Sequence, residues 1–277
     1  MEFDQLSMIE KNVLVASILG DGEITKCYKG SRRKNNSYRE HFSKKQLQYR
    51  VWKKSMLPNI FYFNNKMDTL KFKSLGLFTE LFPLFYNSRG EKRIPETLLK
   101  TCTHPIFLAI LYMDDGSLTI SKKVNSVSKV IYLTPNINFY VQCFPIEQIA
   151  LLQNPFYNVF KLKSSINRRK DGFGYILRIT STQGSMRLYI QTCPSMYYKT
   201  NWPYRFELEK IKLKNKYRDF NIKTSVPKAY YSTEEIEAMV RLKSEGMTDK
   251  EIAKQLGRSY WSVVYKLSEL RKDGRLK

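Results

Sequence analysis

Two stretches carry the residues best suited to chemistry. "VLVASILGDGEI" (Val13–Ile24) and "IFLAILYMDDGSL" (Ile106–Leu118) are each an apolar, helix-length run ending in an acidic residue followed by glycine. Aligning Leu14–Gly22 on Leu108–Gly116 places Asp21 on Asp115, a spacing of 94 residues. A helix C-terminus carries the negative end of the macrodipole, so a carboxylate there is mildly destabilising. Small residues (Ala16, Ser17 and Gly20 in one run, Ala109 in the other) predict a close helix crossing that brings the two carboxylates together, with Ile110 loosening it on the second side. A divalent cation offsets such a concentration of negative charge, and Mg²⁺, an oxygen-seeking ion that keeps several waters, suits the site, with Mn²⁺ as a substitute. The chemistry implied is metal-dependent phosphodiester hydrolysis. One such motif alone is commonplace, because Asp and Gly end helices throughout globular proteins; two in register are a far stronger signal. Asp114 has no carboxylate counterpart, since Gly20 stands in its place, and reads as a solvent-facing or turn-capping residue.

Composition narrows the partners. The 277 residues are 42% hydrophobic and 14% aromatic, enough to bury a full core, which excludes a disordered chain. Lys plus Arg number 48 against 25 Asp plus Glu, a net charge of +23 that calls for a polyanion. Nucleic acid leads. A membrane is disfavoured because the longest apolar runs are about eight residues, far below a span. The acidic start after Met1 is unlike a signal peptide. Cys27, Cys102, Cys143 and Cys193 are scattered without metal-ligand spacing and read as reduced thiols. An intracellular monomer is expected, in a bacterium, a phage-infected cell or a mitochondrion.

The elements that must position the acids follow from the repeat. Each motif is followed by basic and polar segments of strand-like composition, further apolar stretches and a lysine near a proline: Lys92 in "GEKRIPETLL" and Lys199 in "MYYKTNWPY". Two similar units predict a pseudo-symmetric α/β (α+β) protein, with halves at residues 1–100 and 101–209. "TLKFKSL" (Thr69–Leu75) and "YILRITS" (Tyr175–Ser181) alternate apolar and polar residues as strands do, leaving Lys71, Lys73 and Arg178 on an exposed face. Residues 210–231, where periodicity fades and Pro227 intervenes, read as a basic linker. Residues 232–277 then carry three short helical patterns: Ile236, Met239, Val240 and Leu242; Ile252, Ala253 and Leu256; Trp261, Val264, Leu267 and Leu270. Thr248 caps the second, and Gly246 and Gly257 turn the chain. This part resembles a small all-α helix-turn-helix domain whose last helix would enter a major groove and present Arg258, Ser259, Tyr260, Ser262 and Lys266. The part nets only +2, leaving +21 on residues 1–231.

The paired motifs resemble those of the LAGLIDADG homing endonucleases, in the single-chain form where two copies replace a homodimer. "GDG" and "DDG" stand where that family has its metal-binding acids, and "KRIPETLL" and "MYYKTNWP" resemble the segments that supply active-site lysines. The resemblance implies Asp21 and Asp115 as metal ligands, Gly20 and Asp114 as the adjoining positions of the metal pair, and Lys92 and Lys199 as basic residues that polarise the water or steady the phosphate. Leu19 and Met113 stand where the motif name has its first Asp, at packing positions. The resemblance implies saddle-shaped antiparallel sheets in the major groove and cleavage of both strands at a long, asymmetric target. It does not extend to the C-terminal helices.

Residues for DNA contact recur in both halves. They are Lys26, Lys29, Arg32, Arg33, Lys34 and Arg39 in one loop, Lys44, Lys45 and Gln46 in the next, then Lys71 and Lys73. The second half offers Lys122 and Lys123, Asn167, Arg168, Arg169 and Lys170, and Arg178. Arg and Lys suit guanine edges and phosphates, Asn and Gln adenine. The two histidines, His41 and His104, lie in no cluster, which disfavours a ββα-metal nuclease, and no GIY-YIG pattern is present. An intron maturase acting on its own intron RNA and a DNA-binding transcription regulator are the alternatives. Met1 stands close before the first motif, which argues against an intein.

Overall fold

A computed structural model of the chain describes residues 2–58, 60–182, 184, 185, 188, 202–225 and 231–276. Residues 1–227 and 228–277 form two compact units. In the first, α1 (Met8–Leu19) and α5 (Pro105–Asp115) are the paired central helices. Ser7 starts α1 through a reciprocal capping box with Glu10, and His104 starts α5 by accepting the Ile106 N–H, with Pro105 preset for a first turn. Eight successive residues of each, Asn12–Leu19 and Phe107–Asp114, are buried. A helix apolar on all sides belongs inside a core, which is why these two lack an amphipathic pattern. Asn12 ties their starts together: its Nδ2 donates to Thr101 O at 2.9 Å and its Oδ1 accepts from His104 N at 3.1 Å.

Each central helix leads into a sheet of the same order. The first half has β1 (Glu23–Thr25), β2 (Ser37–His41), α2 (Leu47–Ser55), β3 (Phe61–Phe63), β4 (Thr69–Phe72) and α3 (Gly76–Phe85), with strand order β1-β2-β4-β3. After the short α4 (Glu96–Leu99), the second half has β5 (Gly116–Asn125), β6 (Val130–Phe139), α6 (Ile146–Asn158), β7 (Ser165–Arg168) and β8 (Tyr175–Ile179), in order β5-β6-β8-β7. All these pairings are antiparallel, and the expected mixed fold with two pseudo-symmetric sheets is what forms. Glu23 pairs with Arg39 and Ser117 with Asn138, so the halves superpose in register: Arg39 on Asn138, Glu40 on Phe139, His41 on Tyr140.

Residues 210–225 are ordered, against the linker expected over 210–231. A helix runs Trp202–Lys216, and β9 (Asn221–Thr224) pairs in parallel with Val130–Leu133 of β6. Leu213 is buried and Tyr217, Phe220 and Ile222 pack on the core while the lysines face outward, so few apolar anchors suffice. Composition is dominated by the solvated side and hides them.

In the second unit, helices Thr233–Ser244, Asp249–Gln255 and Tyr260–Lys272 enclose Met239, Leu242, Ile252, Ala253, Val263, Leu267 and Leu270. Trp261, expected inward, is 63% exposed beside exposed Tyr260 and Tyr265, and Val264 is only half-buried. The helix has two apolar stripes, and the one with Val263, Leu267 and Leu270 wins. Among the described residues no helix is long and apolar enough to cross a membrane. Ile18→Ala, at a fully buried site in α1, is expected to lower the stability of the first unit by about 2–5 kcal/mol, read by urea denaturation.

Candidate active site

The two acids end the two central helices. Gly20 caps α1 and Asp21 follows, its side chain 30% exposed, while Asp115 is the last residue of α5 and half-buried. The glycine after each acid is demanded by a tyrosine. A Cβ at Gly22 would lie 2.1 Å from Tyr38 Oη, and one at Gly116 2.2 Å from Tyr112 Cδ2. Gly20 is equally constrained, since a Cβ there would lie 2.6 Å from Asp114 Oδ2.

Asp114 departs from its sequence-based expectation. Its side chain is fully buried, accepting from Tyr49 Oη at 2.7 Å, Arg50 Nη1 at 2.8 Å and Lys53 Nζ at 3.0 Å. Arg50 and Lys53, also buried, both reach Glu40, at 2.6 and 3.0 Å, and Tyr38 donates to the same carboxylate. Arg50 Nη2 pairs with Asp21 at the rim. Two cations thus balance two buried anions, and Asp21 is the third acid, reached from the same guanidinium. Burial opposes ionisation of Asp114, yet Lys53, Arg50 and the hydrogen bonds from Tyr49 and Lys53 hold it below the usual carboxylate range. Burial, then the neighbouring carboxylates, push the Tyr38 and Tyr49 hydroxyls up, so both remain donors.

Above this cluster opens a cleft of 410 Å³ lined by Asp21, Glu23, Arg39, His41, Gln46 and Lys92. Lys92 Nζ donates to the carbonyls of Gly20, at 2.8 Å, and Gly22, at 2.7 Å, clasping the turn that carries Asp21. Burial lowers its affinity for a proton, opposed by Cys143, Asp115, Asp114 and Asp21 nearby. Asp21, Asp115 and Lys92 therefore come together, whereas Lys199 lies outside the described residues. The hard oxygens of Asp21 and Asp115 fit a divalent cation completed by water and phosphate oxygens. Asp114 does not fit, because Tyr49, Arg50 and Lys53 occupy its oxygens, and the Gly20 carbonyl is engaged by Lys92. Among the described residues no group of three or more His, Cys, Asp or Glu side chains is set to hold an ion.

Among the described residues the second half has no such charge cluster. Phe139 stands in register with Glu40, and α6 buries Ile149, Leu152, Pro155 and Phe156 where α2 buries Tyr49, Arg50 and Lys53. Glu40, Tyr49, Arg50 and Lys53 were not singled out from the sequence. The available signal was the spacing of Arg50 and Lys53, three apart on the same face of α2 as Tyr49.

The candidate DNA contacts divide by surroundings. Lys29, Arg32, Lys34, Lys44, Lys45, Lys73, Lys123, Asn167, Arg168 and Lys170 are exposed, as is Lys26, which lies over the Phe82 ring. Arg39 pairs with Glu23, Lys122 with Glu209, and Arg169 with Asp171, while Arg33 bonds Ser37 and Thr25. Lys71 and Arg178 lie on the sheet face opposite the buried Phe72 and Leu177. In the second unit Arg258, in the turn before the last helix, is held by Glu235 of the first helix at 2.6 Å and lies over Tyr231. Ser259 caps the last helix, with Ser262 N–H donating to its hydroxyl, and Lys266 pairs with Glu269 at 2.8 Å; Tyr260 is exposed.

Residues 11–186, more than half of the chain, match the model of the LAGLIDADG DNA endonuclease family. The chain belongs to that family. RecA of Mycolicibacterium flavescens is 35% identical over 125 residues, 43% of this chain and 28% of that protein. RecA of Mycobacterium leprae is 35% identical over 130 residues, 44% of this chain and 18% of that protein. The match spans less than a third of either RecA. Among solved structures, the homing endonuclease I-WcaI bound to its DNA recognition sequence superposes with a TM-score of 0.53 at 22% identity, covering 70% of this chain and 87% of that one, which establishes the shared LAGLIDADG fold.

Asp114→Asn leaves two buried cations facing one buried carboxylate and is expected to cost about 3–5 kcal/mol at pH 7. Because the folded-state affinity of Asp114 for a proton is depressed, its contribution is present above the ordinary carboxylate range and fades as pH falls below it. Urea melts of both proteins should therefore converge at acid pH.

Proposed function

We propose that the protein is a site-specific endonuclease that cuts both strands of a long, asymmetric DNA target using divalent metal, Mg²⁺ or Mn²⁺. The observation that carries this is the pair of acids, Asp21 and Asp115, at the ends of two packed helices in a chain of the LAGLIDADG family. The two acids would hold the cation, which would supply water activation and charge neutralisation at the phosphate. The chain's own groups do the rest. Lys92 fixes the carbonyls on either side of Asp21 and presents positive charge at the cleft. Arg50 aims the Asp21 carboxylate while its own charge is balanced from below. Lys199 is proposed as the lysine of the second half.

The exposed lysines and arginines of both halves, with Lys71 and Arg178 on the sheet faces, would hold the duplex through its phosphates and base edges. A chain of net charge +23 binding this way should show a steep salt dependence. The helices of residues 232–277 would add a further DNA contact through their last helix.

The test uses a plasmid carrying the uninterrupted insertion site of the host gene, with Mg²⁺ and with EDTA. Metal-dependent double-strand cutting at one position is expected, with Asp21→Asn and Asp115→Asn abolishing it while DNA binding persists; full cutting by either variant overturns the assignment. Tight binding without cutting in any divalent metal would instead assign a binding role on DNA or intron RNA. Removal of residues 228–277 is expected to weaken target binding while cleavage persists, and an unchanged affinity and salt slope would exclude that unit from the DNA contact.

A further inference from the structure

One group in the first-half cleft is used by none of the chemistry above. His41 ends β2, is exposed, and lines the cleft with Asp21, Glu23, Arg39, Gln46 and Lys92. It stands opposite Thr69 across the antiparallel pair β2 and β4, and its Nδ1 lies 3.2 Å from Thr69 Oγ1. A hydroxyl has one proton to give, and Thr69 gives it to Asp68 Oδ1 at 2.8 Å. Asp68 is held as an anion: the Thr69 hydroxyl, then Asn64, whose Nδ2 donates at 2.6 Å, lower its affinity for a proton. Asn64 Oδ1 in turn accepts the backbone N–H groups of Asp68 and Thr69, both at 3.1 Å, which fixes the turn. With the threonine proton committed, the remaining contact requires His41 to be the donor at Nδ1. In the neutral ring the proton therefore sits on Nδ1, and Nε2 carries the free lone pair.

We propose that His41 is a further catalytic residue, accepting through Nε2 the proton of the attacking water on the DNA strand served by the first half. The step rests on the nuclease function proposed above. The water oxygen bonds to phosphorus and the bond to the leaving ester oxygen breaks. The water proton passes to Nε2, and the leaving oxygen takes a proton from solvent. Loss of the Nε2 proton to solvent restores the imidazole. The charged groups facing His41 are Asp21, Glu23, Arg39 and Lys92 in the cleft and Asp68 behind it.

The second half has other residues at these two register positions. Tyr140 stands in register with His41, with the Arg169 guanidinium over its ring, and Ile176 stands in register with Thr69. The histidine's effect should therefore fall on one strand.

Two measurements test it. Nitrogen-15 NMR of the intact protein reads the tautomers, and with only two histidines the His41→Gln spectrum assigns them. His104 accepts the Ile106 N–H at its Nδ1, so the two rings should show opposite tautomers, His41 protonated at Nδ1 and His104 at Nε2. Thr69→Val should erase the His41 preference. An Nε2-protonated His41, or a preference that survives Thr69→Val, overturns the proposal. With end-labelled duplex of the insertion site, His41→Gln should slow nicking of one strand by about 10²-fold or more and leave the other strand and DNA affinity unchanged. Equal rates on both strands, or lost affinity with retained rate, overturn the base role while the nuclease function stands. Failure of the wild-type protein to cut either strand overturns both.

Discussion

Asp114 is the point on which the first unit turns. It is a carboxylate at the end of an apolar helix, its side chain fully buried, and an unpaired charge there would cost several kcal/mol or force it to neutralise. Arg50 and Lys53 must reach it, so α2 must lie against the helix pair, and Glu40 must then answer the second positive charge from β2. Five elements are thereby locked in one arrangement: α1 through Gly20 and Asp21, α5 through Asp114, α2 through its two cations, β1 through the Gly22 turn, and β2 through Tyr38 and Glu40.

The same cluster controls the cleft. Arg50 is anchored through Nη1 on two buried anions, so the orientation of its Nη2 toward Asp21 is set by the interior rather than by solvent. Lys92 secures the backbone of the same turn from the other side. An acid held by a buried guanidinium and a clasped backbone is pre-organised, which is the condition under which a small number of groups can act on a phosphate without reorganising first.

Pseudo-symmetry of the backbone does not extend to chemistry. The sheets share strand order and register, yet the second half packs Phe139, Leu152 and Phe156 where the first sets ions. Replacing buried ion pairs by apolar residues of similar volume is often neutral in stability. Each half has thus solved the packing under its strand pair by a different means.

The sequence by itself determined the helix pair, the doubling, the twin acids and the basic balance, because these are written in local composition and in one fixed spacing: apolar runs, each closed by Asp and Gly, 94 residues apart. The capping signal of Thr248 located the second of the three C-terminal helices for the same local reason. Only the tertiary structure decided the rest. Asp114 looks solvent-facing until α2 is laid against it, Lys210–Lys216 looks like linker until Leu213 finds the core, and Trp261 looks buried until a second stripe on its helix takes that place. His41 gains its meaning from Thr69 and Asp68, which lie 28 and 27 residues away and meet it only through strand register. Pairings between distant residues are set by which packing lowers the free energy of the whole, and no local window contains that information.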